Sequence, residues 1–235
     1  MNKRYLRIAK LLIVLTIALI GAYKSNQIEA QKYDDSIASV ELVKTPAGEV
    51  LAEIPIKGRA PKTDYSRIQF GDGWEIVGGC DMRNRILTRD LRDVFYIHST
   101  DIMVCKVMSG VLDDPYTGTT IDFLRGPETS DHIQIDHVVA LSDAWQKGAQ
   151  ALSPDQRLAF ANDPLELLAV DGAANQQKAD SDAASWLPAN KSYRCSYVAR
   201  QIAVKKKYSL WVTRSEYDAM AQVLKTCPDQ KIPTS

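Results

Sequence analysis

The chain has 235 residues, 45% hydrophobic and 25% charged, a composition that fits one ordinary globular domain with a tail and excludes disorder over most of its length. Its 29 Lys+Arg match 29 Asp+Glu for a formal net charge of +0, so the molecule as a whole is no polyanion trap and any nucleic-acid footprint must be local.

The start carries Lys3, Arg4, Arg7 and Lys10, and an uncharged apolar run from Leu11 to Tyr23 follows. This is the layout of an export signal, with Ile20-Gly21-Ala22 and Ile28-Glu29-Ala30 as imperfect cleavage sites. A bilayer crossing takes about twenty apolar residues, so the run is short for a permanent anchor. Residues 1–30 therefore read as a signal peptide or short membrane anchor, which makes the body secreted, or held at the cell surface, outside the cytoplasm. Export turns the cysteines, Cys80, Cys105, Cys195 and Cys227, into disulfide candidates. Three pairings exist on paper. Cys80 with Cys105 and Cys195 with Cys227 is the expected set, because each pair then closes a local loop. The wide spacing and the absence of a C-x-x-C pair speak against zinc.

Residues 31–60 are weakly patterned, with Pro46, Gly48, Pro55 and Gly58 as breakers, and read as a linker or wrapping segment. From Asp81, the spacing of Ile86, Leu87, Leu91, Val94 and Phe95 predicts one amphipathic helix, with Arg83, Arg85, Arg89 and Arg92 on its other surface. Strand-like runs follow at Ile102 to Leu112, Thr119 to Leu124 and Ile133 to Leu141, enough for a small antiparallel sheet. Ser142 to Gly148 reads as a short helix, and Ser153-Pro154 opens another with a serine cap and proline in the first helical position. Leu165 to Val170 is a compact strand, and Asp171-Gly172 turns into a short helix ending at Lys178. The last third is helical. It has no acidic residue between Asp182 and Glu216, where Lys191, Arg194, Arg200, Lys205, Lys206, Lys207 and Arg214 make either a phosphate-following face or a solvated one.

The chemistry concentrates at Asp136-His137, followed by Asn175-Gln176-Gln177-Lys178. A carboxylate beside an imidazole, with a neutral carboxamide arriving on a later helix, supplies oxygen ligands for Mg²⁺ and a base for water. The bland reading is a structural Asp–His hydrogen-bond pair. Neighbouring residues on a strand point to opposite faces, so both side chains can serve one site only if regular pleating stops there.

Gly58-Arg59-Ala60-Pro61, Gly79-Cys80-Asp81, Asp114-Pro115-Tyr116-Thr117-Gly118, Ile135-Asp136-His137-Val138-Val139, Asn162-Asp163-Pro164, Asn175-Gln176-Gln177-Lys178 and Trp186-Leu187-Pro188 together resemble exported bacterial HNH-family endonucleases, whose nuclease domain is similar to the C-terminal domain of the GmrSD restriction enzyme. The resemblance covers Gly58 to Pro228 and implies an α+β fold: a ββα-metal core in a nuclease domain over residues 61–230, with a small antiparallel sheet and flanking helices. It implies that Asp136 and Asn175 hold Mg²⁺ or Mn²⁺, and that His137 takes a proton from the attacking water. The expected activity is phosphodiester hydrolysis in DNA, with RNA left open and little sequence preference. Nucleic acid is then the partner and no stable protein partner is implied. The alternative is an extracellular binding module that keeps the fold and has lost activity.

One departure motivates that alternative. Glu166 stands where the family pattern has an asparagine on the second strand, and an ionised carboxylate only accepts hydrogen bonds, whereas an amide also donates. Glu166 could pair with an arginine, approach the metal or lie exposed. Arg125, Lys178 and Arg194 are the candidates for substrate phosphate contact.

Overall fold

The computed structural model describes residues 13, 16–28, 45–97 and 105–234. The chain divides into two units, Met1–Lys44 and Thr45–Ser235. Residues 16–28 of the first are helical; most of the expected signal, and residues 31–44 of the expected linker, lie outside the described residues. No helix among the described residues is long and apolar enough to cross a membrane.

The second unit begins with helix α1 (Pro46–Ala52), capped by the Thr45 hydroxyl, which accepts from the Gly48 N–H at 3.1 Å. Ala47 and Leu51 are fully buried, and the helix packs against two C-terminal helices, Arg194–Lys207 and Arg214–Leu224. From Thr45 onward the stretch read as a linker or wrapping segment lies against the core, and its apolar positions were too few to register as a helical stripe.

A two-residue hairpin, β1 (Ile76–Val77) and β2 (Cys80–Asp81), leads into α2 (Met82–Asp90), whose cap is Asp81 accepting from the Asn84 N–H at 2.8 Å. The predicted helix runs only this far. Leu91 turns extended at φ −91°, ψ 147°, and Arg92–Tyr96 is strand β3, not the helix's last turns. Val94, Phe95 and Tyr96 are β-branched or aromatic, and pairing with β4 (Val107–Asp113) overrides the helical spacing of their apolar positions. Strand β5 (Thr120–Leu124) completes the antiparallel order β3-β4-β5. Strand β6 (Ile133–His137) pairs instead with β7 (Leu167–Asp171), placing His137 opposite Leu167 and Asp136 opposite Leu168. Ile86, Leu87, Val107, Phe123, Ile133 and Leu167 join α2 and both sheets in one apolar core.

Between β6 and β7 lie α3 (Leu141–Gln146) and α4 (Pro154–Ala161), the latter with a full capping box in which Ser153 and Gln156 satisfy each other's N–H groups. Helix α5 (Gly172–Lys178) follows β7 directly from its cap Asp171. Gly172 is required there: a Cβ would lie 2.0 Å from the Asp131 carbonyl oxygen. Helices α6 (Arg194–Lys207) and α7 (Arg214–Leu224) close the unit. Disulfides join Cys80 to Cys105 and Cys195 to Cys227, with Cα separations of 5.8 and 6.3 Å, in the expected pairing.

The basic stretch is not one solvated or DNA-following face. Lys205 is fully buried, 2.9 Å from Glu216 and 3.4 Å from Asp143. Lys147, also fully buried, contacts Asp143, Asp182 and Glu216 at 2.7, 2.7 and 2.6 Å. Arg59 reaches Asp182 at 2.7 Å and Asp143 at 3.1 Å. Three cations therefore neutralise three carboxylates inside the fold, which is how such charges survive burial. Burial pushes the Asp182 carboxyl up, but Lys147 and Arg59 outweigh it and hold it at about 2.

Candidate active site

Strand β6 ends at His137, and this ending lets adjacent residues share a cleft. Gln134 and Asp136 occupy one face while Ile133 and Ile135 join the core. His137, at the last position, still lines the cleft beside Asp136, as do Asn175, Arg67, Trp74 and Asp180. The cleft has a volume of about 390 Å³.

The His137 ring lies nearly parallel to Trp74, with 5.7 Å between centroids and 8° between planes. Its Nε2 is 3.0 Å from the Ala161 carbonyl oxygen. A carbonyl only accepts, so Nε2 carries the proton of the neutral ring and Nδ1 keeps the lone pair. Burial lowers this imidazole to about 3, so it is neutral at physiological pH.

Asp136 is 4% exposed and held at both oxygens: Tyr116 donates to Oδ2 at 2.5 Å and Lys178 Nζ lies 2.9 Å from Oδ1. Burial pushes its carboxyl up, and the Lys178 charge and Tyr116 hydroxyl pull against that. Tyr116 is fully buried, and its position gives a structural role to the Asp114-Pro115-Tyr116-Thr117-Gly118 run of the family resemblance. Asp114 Oδ2 accepts from the Thr117 N–H and hydroxyl at 2.7 and 2.6 Å, and its Oδ1 accepts from the Asp171 N–H at 2.9 Å. That clamp ties the turn to the end of β7 and presents Tyr116 to Asp136.

Lys178 lies elsewhere than the expected phosphate contact would place it. It is fully buried rather than solvated or substrate-facing, and it donates to the His137 carbonyl at 2.8 Å as well as pairing with Asp136. A lysine one turn after Asn175 has the length to reach back along α5, and a buried carboxylate draws it in. Arg125 and Arg194 do not line the cleft either. Arg125 donates to the Val107 carbonyl at 2.6 Å and to Asn84 Oδ1 at 2.7 Å, and Arg194 donates to the Pro188 carbonyl at 2.7 Å.

Glu166 is neither exposed nor paired with an arginine. It is fully buried, and its two carboxyl oxygens sit 3.1 and 3.2 Å from the Val139 N–H while its main-chain oxygen accepts from the Val138 N–H at 2.9 Å. It braces the chain immediately after His137. Burial raises its carboxyl well above the usual range, and a neutral carboxyl offers one acceptor and one donor, as an amide does.

Two oxygen groups of the cleft could hold a divalent cation: the Asp136 carboxylate and the Asn175 carboxamide, whose Nδ2 donates to Gln134 at 2.9 Å and leaves Oδ1 for a ligand bond. The set suits Mg²⁺, which takes one or two carboxylates or similar oxygens and keeps water in its remaining positions. No group of three or more His, Cys, Asp or Glu side chains suited to a metal occurs among the described residues. The cleft also contains residues that the sequence reading passes over: Arg67, Trp74 and Asp180, the last paired with Lys62 at 3.1 Å and bonded by Ser142 at 3.0 Å. Arg67 and Trp74 come from a segment without periodicity, so no pattern marks them.

The family described as GmrSD restriction endonucleases, C-terminal domain, matches residues 81–223. The chain is 36% identical over 186 residues to an uncharacterized secreted protein of the fungus Arthroderma benhamiae, an alignment covering 77% of this chain and 84% of that protein. No solved structure matches.

Proposed function

The chain belongs to the family of GmrSD restriction endonuclease C-terminal domains, and from that premise we propose that it is an exported, metal-dependent endonuclease of the HNH type that hydrolyses phosphodiester bonds in DNA. The order β6, β7, α5 supports reading its centre as a ββα-metal core, with Asp136 and His137 at the end of the first strand and Asn175 on the helix. Export is supported by the similar protein's description as secreted and by the two disulfides.

The observation that carries the reading is the placement of His137 in one cleft with Asp136 and Asn175. Its Nε2–H is committed to Ala161, the ring is neutral, and no hydrogen bond engages Nδ1 among the described residues. Nδ1 is then the base that accepts a proton from water as the water oxygen bonds to phosphorus and the bond to the leaving oxygen breaks. Trp74 and the Ala161 carbonyl fix the ring, and Glu166 holds the strand end that carries it. Asp136 and Asn175 would hold Mg²⁺ or Mn²⁺, and the bound ion supplies Lewis-acid stabilisation of charge on the phosphate and leaving oxygens. Tyr116 and Lys178 keep Asp136 aimed.

The alternative of an inactive binding module took Glu166 as a lesion, and its buried position at the Val139 N–H supports the reading of an intact brace instead. Incubation of the oxidised protein with supercoiled plasmid is the test. Nicking with Mg²⁺ or Mn²⁺ that stops on chelation is expected, and activity that survives exhaustive chelation would contradict the metal mechanism.

A further inference from the structure

The sequence candidates for gripping phosphate are all engaged elsewhere, which leaves the substrate side of the cleft to other cations. Arg83 lines it, but its Nη2 donates to the Ser130 and Ile133 carbonyls, both at 3.1 Å. Lys62 pairs with Asp180. Arg67 differs: its side chain lines the cleft and also the small adjoining hollow formed with Trp74 and His137, and no hydrogen bond, ion pair or ring contact holds its guanidinium among the described residues.

The backbone under Arg67 is firmly seated. It opens a four-residue turn, Arg67–Phe70, in which Phe70 is 1% exposed and packs on Trp145 and Phe160 at 6.3 and 5.9 Å between ring centroids. Arg157 donates to the Gln69 carbonyl at 2.8 Å, and Gly71 ends the turn at φ 103°. A seated backbone beneath an exposed guanidinium that lines the cleft is an arrangement suited to contact with an anion.

We propose that Arg67 binds a backbone phosphate of the nucleic-acid substrate beside His137, so that the segment preceding the matched family region completes the site. The proposal rests on the nuclease reading above. A guanidinium takes two phosphate oxygens at once, which orients the chain as well as attracting it. Arg67 lies outside residues 81–223, so this contact is supplied by the chain's own preceding segment.

Two measurements on the oxidised full chain keep this proposal separable from the nuclease reading. In the first, binding of a fluorescein-labelled DNA duplex is followed by anisotropy in chelator across a salt series, for His137→Ala alone and with Arg67→Ala added. Arg67→Ala is expected to weaken binding about 10- to 100-fold and to reduce the salt slope by about one. In the second, plasmid nicking by Arg67→Ala is expected to fall by a similar factor, with Arg67→Lys between it and wild type and all melting temperatures unchanged. Unchanged affinity and an unchanged salt slope in Arg67→Ala would overturn the proposal even if wild type nicks plasmid. A wild type that binds DNA through Arg67 yet nicks nothing would overturn only the nuclease reading.

Discussion

Lys178 and Glu166 carry the structural consequences of the site at the scale of single residues. Lys178→Met leaves the Asp136 carboxylate buried without its cation and removes a donor from the His137 carbonyl, so a loss of about 3–5 kcal/mol is expected in denaturant unfolding. Adding Asp136→Asn should recover part of that loss, because the orphaned charge goes with it. Additive losses would mean that the two side chains do not act as a pair. For Glu166, replacement by Gln keeps an acceptor at the Val139 N–H and should leave stability within about 1 kcal/mol, while Ala orphans that buried N–H at about 1–3 kcal/mol. Nicking should follow the same order, and an Ala variant as stable and active as Gln would show that the brace is idle. That Asp136, His137 and Asn175 share one cleft was legible through the family resemblance of their motifs. The depth at which Lys178 and Glu166 sit was not, since burial of a charged residue depends on partners far along the chain.

Elements with strong local signals read correctly from sequence, and those decided by tertiary pairing did not. Ser153-Pro154 announces its helix through a cap and Asp171-Gly172 through a turn, and both helices form as expected. The run after Asp90 has apolar residues at helical spacing yet becomes β3, because β4 offers a pairing edge that no local window contains. Helix α5 carries Asn175 to the cleft, and its approach depends on Gly172 lying against the Asp131 carbonyl. Gly172→Ala must move the helix or the preceding turn, so a loss of about 1–3 kcal/mol and reduced nicking are expected together. Full activity in that variant would show that α5 tolerates displacement.

At the scale of the whole second unit, the buried ion network and the disulfides tie together stretches that are distant in sequence. The Asp182 carboxyl sits at about 2 in the folded protein against an ordinary 3.8, a depressed value. Its stabilising contribution is therefore fully present above about pH 4 and is lost as pH falls toward 2. Denaturant unfolding measured from pH 6 to pH 2 should show that loss, and Asp182→Asn should flatten it; an equal pH slope in the variant would exclude Asp182 as a source. The cysteine pairing was readable because each bridge closes a short stretch, but the wall formed by Arg67 and Trp74 was not, because a segment that only lines a cleft need carry no periodic pattern.

The central claim is that His137 is the base of a metal-dependent nuclease, and the most direct measurement is the plasmid-nicking rate of His137→Ala beside wild type with saturating Mg²⁺. Removal of a general base is expected to slow nicking about 10²–10⁴-fold while the protein still melts as a folded domain. A folded His137→Ala that nicks as fast as wild type would contradict the account.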